Sequence, residues 1–126
     1  MRIKNIDHFV ITTKNLEDCL NFYVNLLGME HKEKDGHHSV VFGDQKINIH
    51  TRPKEFLPAA ENITYGCMDY CLITDTDLEG IVCEIKAFGY PIEEGIVKRT
   101  GACGPMNSIY LRDPDGNLVE ISSYIA

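Results

Sequence analysis

An internal repeat is the feature of this sequence that most restricts how the chain can fold. The stretch from Ile6 to Glu17 resembles the stretch from Met68 to Glu79, which lies 62 residues further along the chain. Five of the twelve aligned positions are identical: Asp7/Asp69, Ile11/Ile73, Thr12/Thr74, Leu16/Leu78 and Glu17/Glu79. Ordinary residue frequencies would give about one identity by chance. The chain is therefore predicted to use one supersecondary unit twice.

Each copy is predicted to start with a strand and continue as a helix. In the first copy, Asn15 suits an N-cap, and apolar residues follow it at helical spacing: Leu16, Leu20, Tyr23 and Leu27. In the second copy, Asp77 takes the cap position before Leu78, Ile81, Val82, Ile85 and Phe88. Gly28 and Gly89 follow these stripes, where C-cap glycines commonly end a helix.

Three short strands are predicted after each helix. They cover residues 29–34, 37–43 and 45–50, and then residues 91–98, 106–112 and 117–123. The run from Asp113 to Gly116 is a strong turn signal before the last strand. We therefore predict one α+β domain over residues 1–126, with βαβββ modules at 1–51 and 67–126 and a linker at 52–66. The expected architecture is a curved eight-stranded mixed sheet with helices on its convex face.

Composition restricts the possible partners and the cellular compartment. The net charge is −7 and no cluster of Lys and Arg stands out, which argues against nucleic-acid binding. No apolar run approaches the roughly 20 residues of a membrane span, and the N-terminus lacks a signal-peptide pattern. The five cysteines are odd in number and form no CxxC pair. This usage predicts reduced thiols in a cytoplasmic protein.

Strand alternation brings several polar residues to one face of the predicted sheet. Apolar residues that share the other face are expected to pack against the helices: Phe9, Ile11, Ile47, Ile49, Val119 and Ile121. The alternation leaves His8, Asn48, His50 and Glu120 on the concave face. Two imidazoles and one carboxylate suit a divalent metal. A single strand histidine is more often solvated or hydrogen-bonded than a ligand, so this prediction depends on the combination.

Both ends of the chain resemble a known family. The opening segments are Asp7-His8-Phe9-Val10-Ile11, Cys19-Leu20-Asn21-Phe22-Tyr23 and Leu26-Leu27-Gly28-Met29, and the closing segment runs from Arg112 to Ile121. They are similar to the glyoxalase, or vicinal-oxygen-chelate, superfamily over essentially the whole chain. The runs from Phe42 to His50 and from Lys98 to Ala102 most resemble the small "virulence protein" glyoxalase-domain subgroup.

The resemblance implies a metal site with ligands from the first and last strand of each module. Carried over by position, the ligand positions are His8, His50, Tyr70 and Glu120. Neutral tyrosine is a poor ligand, so Tyr70 is expected to line the pocket with Asn48 while the other three hold one divalent ion. Zn, Ni, Mn and Fe all remain possible. Three protein ligands would leave open positions for water or substrate.

Two further residues are candidates for the catalytic site together with Glu120. Arg99 lies in a glycine-containing segment predicted as a loop, where it is either solvated or binds an anionic substrate group. Tyr110 lies on the next-to-last strand and either lines the cavity or packs in the core. The adjacent His37 and His38 point to opposite faces, and a surface position is expected for them.

The resemblance implies a metal-dependent enzyme that acts on a small oxygen-rich substrate by lyase, isomerase or epoxide-opening chemistry. One alternative is a non-catalytic binding protein of the bleomycin-resistance type, and another is an Fe(II) dioxygenase. Unpaired module edges also predict a homodimer.

Overall fold

The structure is a computed structural model that describes residues 1–125. The chain divides into two compact units, Met1–Cys67 and the part from Met68 onward. In the first unit the strands are β1 (His8–Thr12), β2 (Glu30–Lys34), β3 (His37–Phe42) and β4 (Gln45–His50). The helix α1 (Leu16–Leu20) follows β1 and continues as a π-helical segment, Asn21–Leu26.

The second unit repeats this order. Its strands are β5 (Asp69–Ile73), β6 (Glu94–Gly101), β7 (Gly104–Arg112) and β8 (Leu118–Tyr124), and its helix is α2 (Leu78–Phe88). These elements confirm the α+β class and the repeated βαβββ order. None of the helices in the described part of the chain is long and apolar enough to cross a membrane.

Each unit contains a four-stranded mixed sheet. The strand order is β1-β4-β3-β2 in the first and β5-β8-β7-β6 in the second. The pairs β1–β4 and β5–β8 are parallel, because a helix and two strands separate each pair in sequence, and the other pairs are antiparallel. Since β1 and β5 stand at one end of these strand orders, each is an outer strand of its sheet.

The core of each unit contains the apolar residues that the alternation predicts. Ile11, Ile47 and Ile49 are buried in the first unit, and Val119 and Ile121 are buried in the second. Phe9, which was predicted with them, is half-buried. Helix residues complete these cores. In the first unit, the buried rings of Phe22 and Tyr23 pack edge to face with their centroids 4.9 Å apart, and in the second unit Leu78 and Ile85 are buried. Burying the apolar face of a sheet under a helix drives this packing.

The predicted caps begin and end both helices. The side chain of Asn15 accepts from the backbone N–H of Asp18, and that of Asp77 accepts from Gly80. Gly28 and Gly89 have φ values of 77° and 84°, a left-handed conformation that glycine adopts without steric cost. The first helix differs from prediction, because after Leu20 its backbone widens into π-type hydrogen bonds such as Leu27 N to Phe22 O at 3.0 Å.

The strand that was predicted over residues 91–98 begins and ends three residues later in the structure. It runs from Glu94 to Gly101, so Arg99 belongs to a strand and not to a loop. Pairing with the long strand β7 extends it, and Arg99 lies opposite Met106. The turn falls at residues 101–104, where Gly104 has a φ of 135°.

Candidate functional site

The backbone register of the two parallel strand pairs determines which side chains share a face. Lys46 N bonds to Asp7 O in the first unit, and Leu118 N bonds to Met68 O in the second. Asp7 therefore corresponds to Met68, one residue away from the alignment that the sequence identities suggested. The cause is one extra residue in the second unit between the end of the strand and the helix cap, since Thr13–Asn15 corresponds to Thr74–Asp77.

His8 is held in a geometry that suits a metal ligand. Its Nδ1 donates to Asp7 Oδ1 at 2.7 Å, and the imidazole is partly exposed. Because Nδ1 carries the proton, Nε2 keeps a free lone pair for a cation. Ligating histidines in proteins almost always have such a partner on their other nitrogen, which fixes the ring orientation.

His8 and His50 share a face of the first sheet, as predicted, but they lie far apart along it. His8 pairs with Lys46, whereas His50 pairs with Thr12, four residues further along the strands. At about 3.3 Å per residue this offset is roughly 13 Å. A histidine reaches an ion about 6 Å from its Cα, given a metal–nitrogen bond of about 2 Å. The register therefore does not bring these two imidazoles of one module close together.

His50 belongs instead to an aromatic group. Its ring stands edge-on to Phe56 at 5.1 Å between centroids, and His37 stacks on the same ring at 3.9 Å. Burial lowers the pKa of His50, nearby Glu55 opposes this, and His37 lowers the pKa further. Asn48 lies on the same face, and both residues line a cleft of about 640 Å³. The sequence did not indicate Phe56, which stood in the segment interpreted as a polar linker.

In the second unit, Glu120 shares its face with Tyr110 and Arg99. Tyr110 lies directly opposite Glu120 in the β7–β8 register. Arg99 Nε donates to Tyr110 Oη at 2.9 Å, and the guanidinium lies 5.4 Å from the centre of the Tyr110 ring. Glu94 Oε1 is 3.7 Å from Arg99 Nη2. The hydrogen bond that Arg99 donates to Tyr110 and the nearby carboxylates of Glu94 and Glu120 raise the pKa of Arg99. The structure thus brings the three predicted catalytic candidates together.

A hydrogen-bond chain that the sequence did not predict continues from Glu120. Ser122 Oγ donates to Glu120 Oε2 at 3.2 Å, and it contacts Ser108 Oγ at 2.6 Å and Cys71 Sγ at 3.1 Å. Both serines are fully buried. Burial raises the pKa of the Cys71 thiol, and Glu120 adds to this effect, so the thiol is the stable form. The chain orients the Glu120 carboxylate.

Tyr70 is not beside Glu120. The β5–β8 register pairs Glu120 with Cys71 and pairs Tyr70 with Val119, on the helix-facing side of the sheet. The register therefore does not bring Tyr70, which was expected to line the pocket, to the face of Glu120. Tyr70 corresponds in register to Phe9, and the polar residues of β5 that do share the face of Glu120 are Asp69 and Cys71.

The donor set fits a divalent ion at two predicted positions. His8 has an oriented imidazole, and Glu120 has a carboxylate held by Ser122. Across residues 1–125, no three His, Cys, Asp or Glu side chains come close enough together to hold an ion. The five cysteines are free thiols, and four of them are exposed.

Two βαβββ units with an imidazole on the first strand and a carboxylate on the last define a class of small α+β proteins. This chain belongs to the Glyoxalase/Bleomycin resistance protein/Dioxygenase superfamily, whose family model matches residues 5–121. The resemblance inferred from the opening and closing segments is thereby confirmed. Members of this superfamily commonly bind a divalent metal and are often dimers that bind small molecules.

Two relatives match along almost the whole chain. Virulence protein STM3117 from Salmonella typhimurium is 45% identical over 126 residues, covering 99% of this chain and 88% of the relative. Its crystal structure matches with a TM-score of 0.96, covering 99% of this chain and 100% of that one. Glyoxalase domain-containing protein RDO1 from Mycosarcoma maydis is 39% identical, covering 98% of this chain and 70% of the relative.

A more distant structure shares the fold alone. The lactoylglutathione lyase from Agrobacterium tumefaciens is 22% identical, with a TM-score of 0.74, and the match covers 97% of this chain and 95% of that one.

Proposed function

We propose that this protein is a cytoplasmic, metal-dependent enzyme that acts on a small, oxygen-rich molecule by lyase, isomerase or epoxide-opening chemistry. His8 and Glu120 are the protein ligands in this proposal, and water or substrate takes the remaining positions. The carrying observation is the 2.7 Å contact between His8 Nδ1 and Asp7, because it leaves Nε2 free and aimed by a carboxylate.

A bound divalent ion would polarise a substrate oxygen and stabilise the negative charge that develops on it. The residues of the chain supply binding and orientation. Ser122 holds the Glu120 carboxylate through a 3.2 Å hydrogen bond. Arg99, held by Tyr110 at 2.9 Å, offers its remaining N–H groups to an anionic or strongly polar substrate group.

Tyr110 acts mainly as a positioning residue, because its hydroxyl accepts from Arg99 while its ring lies under the guanidinium. Tyr110 also lies opposite Glu120, one of the two ligands in this proposal. Loss of the ring is therefore expected to affect substrate binding more than metal binding.

A non-catalytic binding protein is the second candidate function. The absence of a cluster of three acid, imidazole or thiol side chains among residues 1–125 favours it. The alternative of an Fe(II) dioxygenase is less well supported. It relied on a two-His, one-carboxylate site, and the β1–β4 register separates the two histidines.

The experiment that tests the proposal is metal analysis of protein purified without chelators, followed by an activity screen. Glutathione adducts, epoxides, catechols and acyl-CoA esters cover the reaction types of the superfamily. One metal per chain with metal-dependent turnover of one class is the expected result. Stoichiometric ligand binding without bound metal or turnover would favour the second candidate.

A further inference from the structure

The lining of one cleft in the first unit contains several lysine and imidazole side chains. It lies over strands β2, β3 and β4, and its volume of about 640 Å³ is in the range of small-molecule sites. The lining groups that matter here are Lys32, Lys34, Lys46, His37, His50 and Phe56. A concentration of cations is unexpected in a chain of net charge −7.

Two of the lysines are available to a ligand. Lys34 pairs with His37 and Lys46 pairs with Val41, which places both on the cleft face of the sheet. Neither forms an ion pair with any residue between 1 and 125. Lys32 is less available, because its Nζ lies 2.8 Å from Glu30.

The acidic residues at the cleft do not cancel this charge. Glu33 and His38 also line the cleft, although their register places them on the opposite face, and the Glu33 carboxylate is 4.0 Å from the His38 imidazole. Asp35 lies at the turn between β2 and β3, at the end of the cleft. Lys32, Lys34 and Lys46 still outnumber the two acidic residues in the lining, Glu33 and Asp35.

Protection of a sheet edge is the competing explanation for these lysines. Charged residues on an outer strand discourage edge-to-edge association, and β2 is fully exposed. That explanation covers Lys32 and Lys34 but not Lys46, which is half-buried on β4 between β1 and β3. A lysine at such a position needs another reason.

The imidazoles of the cleft are held in place before any ligand binds. Glu55 accepts from Thr51 N at 2.8 Å and from Thr51 Oγ1 at 2.9 Å, which folds the segment after β4 back on itself. The fold places Phe56 against His37 and His50. Groups ordered in advance lose less entropy on binding, so such N–H donors bind more strongly than mobile ones.

We infer that this cleft binds the oxyanion group, carboxylate or phosphate, of a small molecule through Lys34, Lys46 and His37. Lys46 is the β4 partner of His8. The inference therefore rests on the proposed function in one respect: the anion is the charged end of a substrate whose other oxygens reach the metal. Binding of the anion itself requires no metal.

The test is an NMR titration of the full-length, chelator-treated protein with inorganic phosphate and, separately, with succinate. Saturable shifts of amide signals on β2, β3 and β4 and around Phe56 are the expected result. The Lys34→Gln, Lys46→Gln double variant should bind about tenfold more weakly, because it loses two charge-assisted contacts. A Lys4→Gln, Lys86→Gln control removes the same charge from exposed positions outside the cleft and should change binding by less than about twofold.

The outcomes separate the sources of the anion. Binding of phosphate alone assigns a phosphorylated ligand, and binding of succinate alone assigns a carboxylate. If neither anion binds, or if both double variants weaken binding equally, the inference is wrong. Should the double variant misfold by circular dichroism, the exposed Lys34→Gln alone and Phe56→Leu carry the same expectation of weaker binding.

Metal content measured on the same samples keeps the two proposals apart. Anion binding without any metal uptake by untreated protein would contradict only the proposed function. Metal uptake without anion binding would contradict only the inference that the cleft binds an anion.

Discussion

Asp7 affects metal binding only through His8 in this account. Replacing it with asparagine should lower metal affinity about 10- to 100-fold, because the imidazole loses the carboxylate that orients it. Competition with a coloured chelator measures the affinity. Asp44→Asn is the matched control, since Asp44 is an exposed aspartate in the turn between β3 and β4. Equal affinity in the Asp7 variant would show that the 2.7 Å contact has no role in metal binding.

Individual site residues differed in how well the sequence predicted them. Alternation alone placed His8, Asn48 and His50 on one face of their sheet, because side-chain direction in a strand has a fixed period of two. It did not predict the distance between His8 and His50, since that depends on how β1 and β4 are aligned. Phe56 carried no signal, because one aromatic residue in a polar segment indicates nothing about what it contacts.

Among the structural elements, the turn between β7 and β8 depends on two buried polar residues. Asn117 Nδ2 donates to Asp113 Oδ2 at 2.7 Å, and Asn117 Oδ1 accepts from Met68 N at 2.9 Å. The asparagine therefore ties the turn to the start of β5, next to the strand of Glu120.

Asn117→Ala should lower the free energy of unfolding by about 3 kcal/mol, because it leaves a buried carboxylate oxygen and a backbone N–H without this partner. Urea unfolding followed by circular dichroism measures the change. Asn62→Ala, at an exposed position, should stay within about 0.5 kcal/mol of the parent protein. A similar small change for Asn117→Ala would mean that water replaces both hydrogen bonds.

Element order, caps and most strand bounds followed from the sequence, because periodicity, cap residues and turn residues act locally. The residue-by-residue correspondence between β1 and β5 could not be predicted from the sequence. Identities such as Ile11/Ile73 suggested a constant spacing, but the extra residue before Asp77 shifts β5 by one position. A one-residue shift moves every side chain of a strand to the other face, and this is why Tyr70 was misplaced.

For the whole molecule, we expect a homodimer. The side chains of Ile6, Val10 and Ile73, on or beside the outer strands β1 and β5, have exposures of 64%, 39% and 53%. Exposed apolar residues along outer strands commonly mark an interaction surface. Sedimentation equilibrium at micromolar concentration measures the association, and a stable monomer there would contradict the expectation.

Subunit mixing tests whether one metal site uses two chains. If His8 of one subunit meets Glu120 of its partner, then mixing His8→Ala with Glu120→Ala chains restores some intact sites and hence some metal binding. If mixed chains that demonstrably exchange subunits regain no metal, each site lies within one chain.

The metal content of three single variants tests the central claim most directly. Elemental analysis of His8→Ala, Glu120→Ala and His50→Ala, each purified without chelators, compares the proposed ligands with a histidine that lies roughly 13 Å from His8 along the same sheet. His8→Ala and Glu120→Ala are expected to lose the metal, whereas His50→Ala is expected to keep it. Full metal occupancy in both His8→Ala and Glu120→Ala would contradict the account.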